Sequence, residues 1–304
     1  MIRIVLVLLV ACASPRPPVS APCPTVATEP AIPPEDAQLA TWKQIAATKE
    51  KEPPAGTTAA SLVPELVAYL SSIDPVRRDQ IGYEVLATWI GSKRLTDDEC
   101  RALMKTLVAN LAAPGDVFGR SFSALVLAEV VRRDRKAPFL TDDERRAVLR
   151  DVRAFAERET DLRGYTGATG WAHAAAHTGD VLAQLAQLPT FTSDDRAVIL
   201  DAVAALAARK HGQRLGHGED SRLAASVIVV AKAGVSEEAI KAFAGKLRAP
   251  LVENGTRDFD AGLYYAQRNA RDLLFTLFVY GSTTKEPTPG EAALFAAVKA
   301  VIEE

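Results

Sequence analysis

Five helix-start signals, recurring at roughly 45 to 50 residues, constrain this chain more than any other feature. They read LTDDE (95–99), LTDDE (140–144), FTSDD (191–195), VSEE (235–238) and PTPGE (287–291). Each sets a hydroxyl, from Thr96, Thr141, Thr192, Ser236 or Thr288, where it can accept from an otherwise unpaired amide of a first helical turn. Glu99, Glu144 and Glu291 occupy the reciprocal capping-box position, and the acidic residues complement the helix dipole. After the first signal Cys100, Leu103, Met104, Leu107, Val108 and Leu111 repeat at helical spacing. Val148, Leu149, Val152, Phe155 and Ala156 do so after the second. Uncapped helices are expected between the capped ones, at about 118–133, 170–188, 218–232 and 260–280. No run of alternating apolar residues argues for a sheet. The expected fold is all-α, a stack of helical hairpins over 41–304, HEAT-like or an α/α superhelix.

The N-terminus has a different character. Arg3 followed by the apolar run 4–10 reads as an export signal, too short to span a bilayer. The run Leu9-Val10-Ala11-Cys12 resembles a bacterial lipobox. That resemblance implies cleavage after residue 11, lipidation of Cys12 and a membrane partner through the acyl chains. Ala13, in place of an aspartate, implies outer-membrane sorting and a domain facing the periplasm. The proline-rich stretch that follows makes 12–40 a tether. With Cys12 lipidated, only Cys23 and Cys100 remain, too few for a disulfide framework, and Cys100 is expected in the core. Lysine plus arginine (36) nearly balances aspartate plus glutamate (38), and no dense basic run is present, which argues against nucleic acid as a partner.

GWAHAAAH (170–177) holds two of the four histidines, four residues apart. On a helix, Trp171, Ala174, Ala175, Val181, Leu182 and Leu185 would form the core stripe, while His173, His177, Asp180 and Gln184 would share a polar face. Stacked hairpins would bring the helix starts together. His217 and Glu219, Asp220, Arg222 and Ser226 on the next uncapped helix, Arg120, Ser121 and Ser123 on the preceding one, and Asp260, Asn269 and Asp272 on the last would then gather on a concave surface with Glu159, Asp161 and Arg163.

These segments together resemble the bacterial domain of unknown function 2785 family. The resemblance rests on RSFS (120–123), ETDLRG (159–164), GWAHAAAH with Asp180, EDSRLA (219–224) and Asn269, and covers about 110 to 280. It departs at Ser221, where an acidic residue is expected, and in its lipoprotein leader. It implies the fold and the site, but no established activity.

Two function classes stay open. In one, His173, His177 and Asp180, with His217 or Glu219, bind a divalent metal such as zinc, and Glu159 or Asp161 deprotonates a bound water for hydrolysis. The glutamate that follows the first histidine in zinc proteases is absent. In the other, Arg120, Ser123, Arg163, Trp171, Glu219, Asp220, Arg222 and Asn269 belong to a polar network that binds a protein or small-molecule ligand, or only fixes the fold. The second is the preferred reading.

Overall fold

The computed structural model describes residues 31–255 and 258–304 of the chain. The expected signal peptide, Cys12, Cys23 and most of the tether lie outside the described residues; the helical body is Ile32–Glu304. Its first helix starts earlier than residue 41, because the Asp36 carboxylate accepts from the Leu39 amide at 2.7 Å and caps α1 (Ala37–Ala46), burying Leu39 and Trp42. The remaining helices are α2 (Ala59–Tyr69), α3 (Glu84–Gly91), α4 (Asp97–Asn110), α5 (Val117–Lys136), α6 (Asp142–Arg158) and α7 (Ala174–Ala186). They continue as α8 (Ser193–Ala208), α9 (Glu219–Ala233), α10 (Glu237–Val252), α11 (Ala261–Thr283) and α12 (Pro289–Glu303). A π-helical segment, Val76–Tyr83, leads into α3, and no strand occurs among the described residues.

The even-numbered helices from α4 to α12 lie side by side in one row, and α3, α5, α7, α9 and α11 in a second row packed against it. This is the expected all-α stack of hairpins. All five helix-start signals cap as their chemistry requires: Thr96, Thr141, Thr192, Ser236 and Thr288 each accept from the amide three residues on. Asp195 completes a capping box as the longer glutamates do elsewhere. Between the rows runs one core in which Trp89, Phe118, Phe155 and Phe243 are fully buried.

Arginines fix the hairpin turns. Arg196, from the first turn of α8, donates to the carbonyls of Ala186, Leu188 and Phe191 and so satisfies the C-terminal end of α7. Arg133 does similar work at the start of α4, meeting the Leu95 carbonyl, Asp97 and the Cys100 sulfur, which is buried as expected.

One helix departs from expectation. The third uncapped helix begins at Ala174 rather than 170, because the amides of Ala172 and His173 donate back to the carbonyls of Gly164 and Arg163, both at 2.9 Å. Residues 163–173 thus form a short antiparallel loop, bridged at Tyr165 and Trp171, ahead of α7. Within α7, Gly179 lets α9 come close: a Cβ there would fall 3.0 Å from the Arg222 carbonyl oxygen.

Candidate functional site

His173 is the hinge between that loop and α7. It has a left-handed backbone (φ 52°), which costs a side-chain-bearing residue of order 1–3 kcal/mol, and its carbonyl accepts from the His177 amide. The turn takes Trp171 off the core stripe. Ala174, Ala175, Val181, Leu182 and Leu185 are buried as expected, but Trp171 is 39 % exposed and stacks on the His173 ring, with centroids 4.3 Å apart. Tyr165 packs edge-on against Trp171 at 5.0 Å and is 53 % exposed; His217 meets the same indole edge-on at 5.9 Å.

Beneath these rings lies Glu219, the first residue of α9 and fully buried. Its Oε2 accepts from the His217 amide at 2.7 Å, its Oε1 is 3.5 Å from His173 Nε2, and that Oε1 has no hydrogen-bond partner. Burial lowers the His173 pKa against the opposing pull of the carboxylate. Gly164 allows the loop to lie this close: a Cβ there would stand 2.6 Å from Glu219 Oε1 and collide with the His217 ring.

Behind His173 sits a second imidazole with a different environment. His177 is buried against Phe122, edge to face at 4.8 Å, and its Nδ1 is 2.8 Å from the Ser121 hydroxyl. Ser121 has one proton, and the Ala172 carbonyl, which can only accept, is its other partner. His177 therefore donates from Nδ1, and burial pushes its pKa down to about 3. The same bonding denies Ser121 the role of an activated nucleophile: its proton is committed to a carbonyl and it is inaccessible. Arg78 supports this region from the π-helical segment, fully buried over the rings of Phe118 and Phe122 and donating to the Thr169 carbonyl.

The other expected residues are close in the fold but differently engaged. Glu159 binds Arg120 through both oxygens, at 2.6 and 3.2 Å, and one of those oxygens also accepts from the amides of Thr160 and Asp161. Asp161 pairs with Arg163, which also reaches Asp116 at 3.3 Å. Neither carboxylate is left free to act as a general base. Ser123 turns away from the site to accept from Asn110 of α4. Asp220 accepts from Thr276 of α11 at 2.6 Å. Asn269 fixes the loop before α9, accepting from the Leu215 amide and donating to the Gln213 carbonyl.

The expected metal set of His173, His177, Asp180 and His217 is not assembled. His173 and His177 present edge-to-face rings with centroids 5.9 Å apart, His177 directs Nδ1 to Ser121, and Asp180 faces Arg222 at 3.2 Å. Among the described residues no group of three His, Cys, Asp or Glu side chains is placed to hold a metal ion. The physical reason is the left-handed turn at His173, which removes it from the helical register that the spacing implies.

What the arrangement does offer is an open groove of about 440 Å³ beside the aromatic rings, lined by Arg163, Tyr165, Gln213, Arg214, His217 and Tyr265 among others. Tyr165, Gln213 and Arg78 were not among the expected site residues. Tyr165 lies in the 163–173 loop outside any helical pattern, while Arg78 reaches its partner across ninety-one residues and leaves no local signal.

Fold and site together define an all-α, helical-hairpin protein with an aromatic-lined polar edge at the starts of α7 and α9. The chain belongs to the family described as "Protein of unknown function (DUF2785)", whose model matches residues 85–279, from α3 into α11. Neither the curated proteins nor the solved structures contain a match to it.

Proposed function

We propose that this chain is a binding module, tethered to the bacterial envelope through lipidated Cys12, that takes an uncharged, hydroxyl-rich ligand of the saccharide type at the Tyr165–Trp171 edge. The observation that carries this reading is the pair of exposed aromatic rings, Tyr165 and Trp171, beside an open groove whose lining includes the polar side chains of Thr166, Gln213 and His217. Aromatic faces suit the apolar faces of a sugar ring, and a few fixed acceptors and donors orient its hydroxyls. An anionic ligand suits the groove less well, because its arginines are already neutralised: Arg163 by Asp161 and Asp116, Arg214 by Asp272. No metal or nucleophile is required.

Trp171 is its own reporter. Of the three tryptophans it alone is half-exposed, Trp42 and Trp89 being 3 % and 0 % accessible. Titrating the full chain with a panel of neutral oligosaccharides should shift tryptophan emission, and Trp171→Phe should abolish the shift while Tyr165→Ala weakens binding at least tenfold. Binding of inorganic phosphate instead, or saccharide binding untouched by either substitution, would sink the reading. The anchor is tested separately: Cys12→Ser should move the protein from the membrane to the soluble fraction.

A further inference from the structure

A second cavity, of about 220 Å³, opens on the face of the α5–α7–α9 row and shares none of its lining with the aromatic groove. Its walls carry Glu129 and Arg132 of α5, Asp180 and Gln184 of α7, Arg222 of α9 and Tyr83 from the end of the π-helical segment. Leu125, Ala128 and Ala183 complete its lining.

Two guanidiniums and two carboxylates thus meet around one small space. Each acid has an arginine partner, Arg132 for Glu129 and Arg222 for Asp180, and Tyr83 lies 3.5 Å from Glu129. The second ion pair is the looser one: Arg222 lies 3.2 Å from Asp180, and half of its side chain is exposed. That leaves guanidinium donors available at the mouth. On the opposite requirement, Gln184 Oε1 is buried without a donor, one turn along α7 from Asp180. Burial also raises the Asp180 pKa to about 6, against the pull of Arg222, so its ionised form is short of stabilising partners.

A ligand that answers both needs must carry a cation and an anion. We propose that this cavity binds a small zwitterion of the amino-acid class, its ammonium held by Asp180 and Gln184 Oε1 and its carboxylate by Arg222 and Arg132. The volume falls below the roughly 300 Å³ at which pockets begin to accept drug-sized molecules, which limits the ligand to a few heavy atoms. A lone carboxylate would leave Gln184 Oε1 without a donor, and a lone amine that took Asp180 from Arg222 would leave that guanidinium without its anion. The proposal uses none of the residues on which the saccharide reading depends, so the two stand or fall separately.

Isothermal titration of the full chain with glycine, L-alanine, β-alanine and γ-aminobutyrate scans the same two charges at increasing separation. Ethylamine and propionate serve as half-ligands. At least one zwitterion should bind, at least tenfold tighter than either half-ligand, and both Arg222→Ala and Asp180→Asn should weaken it at least tenfold. Should one variant fail to fold, Glu129→Gln and Arg132→Ala probe the other wall. Propionate binding as well as the zwitterion, binding indifferent to these substitutions, or no heat from any of the four amino acids at millimolar concentration would overturn the proposal.

Discussion

Protonating His177 would place a charge in a pocket made of Phe122, a committed Ser121 hydroxyl and helix backbone, and nothing there can receive it. Its pKa is depressed in the folded chain to about 3, whereas the unfolded chain takes up the proton near 6.5. Below 6.5 the unfolded state therefore binds more protons, so stability is complete above that pH and is lost as pH falls from about 6.5 toward 3. Denaturant unfolding at pH 5 should show a loss of about 2 kcal/mol from this residue relative to pH 7.5. His177→Gln should flatten that slope, and an unchanged slope would mean the imidazole is not buried. Asp180 has the opposite sign: its raised pKa means that the ionised form is disfavoured in the fold, so Asp180→Asn should stabilise the chain by of order 1–2 kcal/mol above pH 6 and by nothing below pH 3.8. The same unfolding series reads this out. His173 and Trp171 mark where residue-level reading of the sequence stopped. Their spacing reads as two helical positions, yet backbone bonds to residues 163 and 164, whose partners no local pattern announces, hold them outside α7.

At the level of the helices, the capping residues were legible because their chemistry is local: a hydroxyl and an acid three residues on need only each other and the first turn. Thr141→Ala should cost about 1 kcal/mol, read by thermal unfolding. Arg196 was not legible, since its partners are the carbonyls of the previous helix end and loop. Arg196→Leu leaves those carbonyls without donors and should cost about 2–4 kcal/mol, two or more times the cap. Gly179→Ala is the sharper test of packing, because an added methyl meets the backbone of α9, which cannot swing aside as a side chain could. It should destabilise by about 1–3 kcal/mol, although alanine is the better helix former. A neutral or stabilising result would show that α7 and α9 are further apart than described.

Across the molecule, the two-row stack follows from signals that repeat, and repetition is visible in a single sequence. The site draws on contacts between α5, α7, α9 and the loop at 163–173, and these depend on register between neighbours that have no shared motif. Hence the sequence points to these segments without their register, and the four side chains of the metal alternative lie apart in the fold, in an aromatic edge, a buried Ser121–His177 pair and an Asp180–Arg222 cavity. Ring-nitrogen chemical shifts of the four histidines in ¹⁵N-histidine-labelled full chain, followed from pH 8 to pH 4, distinguish that partition from a loose edge. His177 should stay neutral with its proton on Nδ1 throughout, and His173 should titrate below 6.5 and respond to Glu219→Gln. A His177 that titrates near 6.5 with no fixed tautomer would mean that neighbouring hairpins do not close over it, and would contradict the partition.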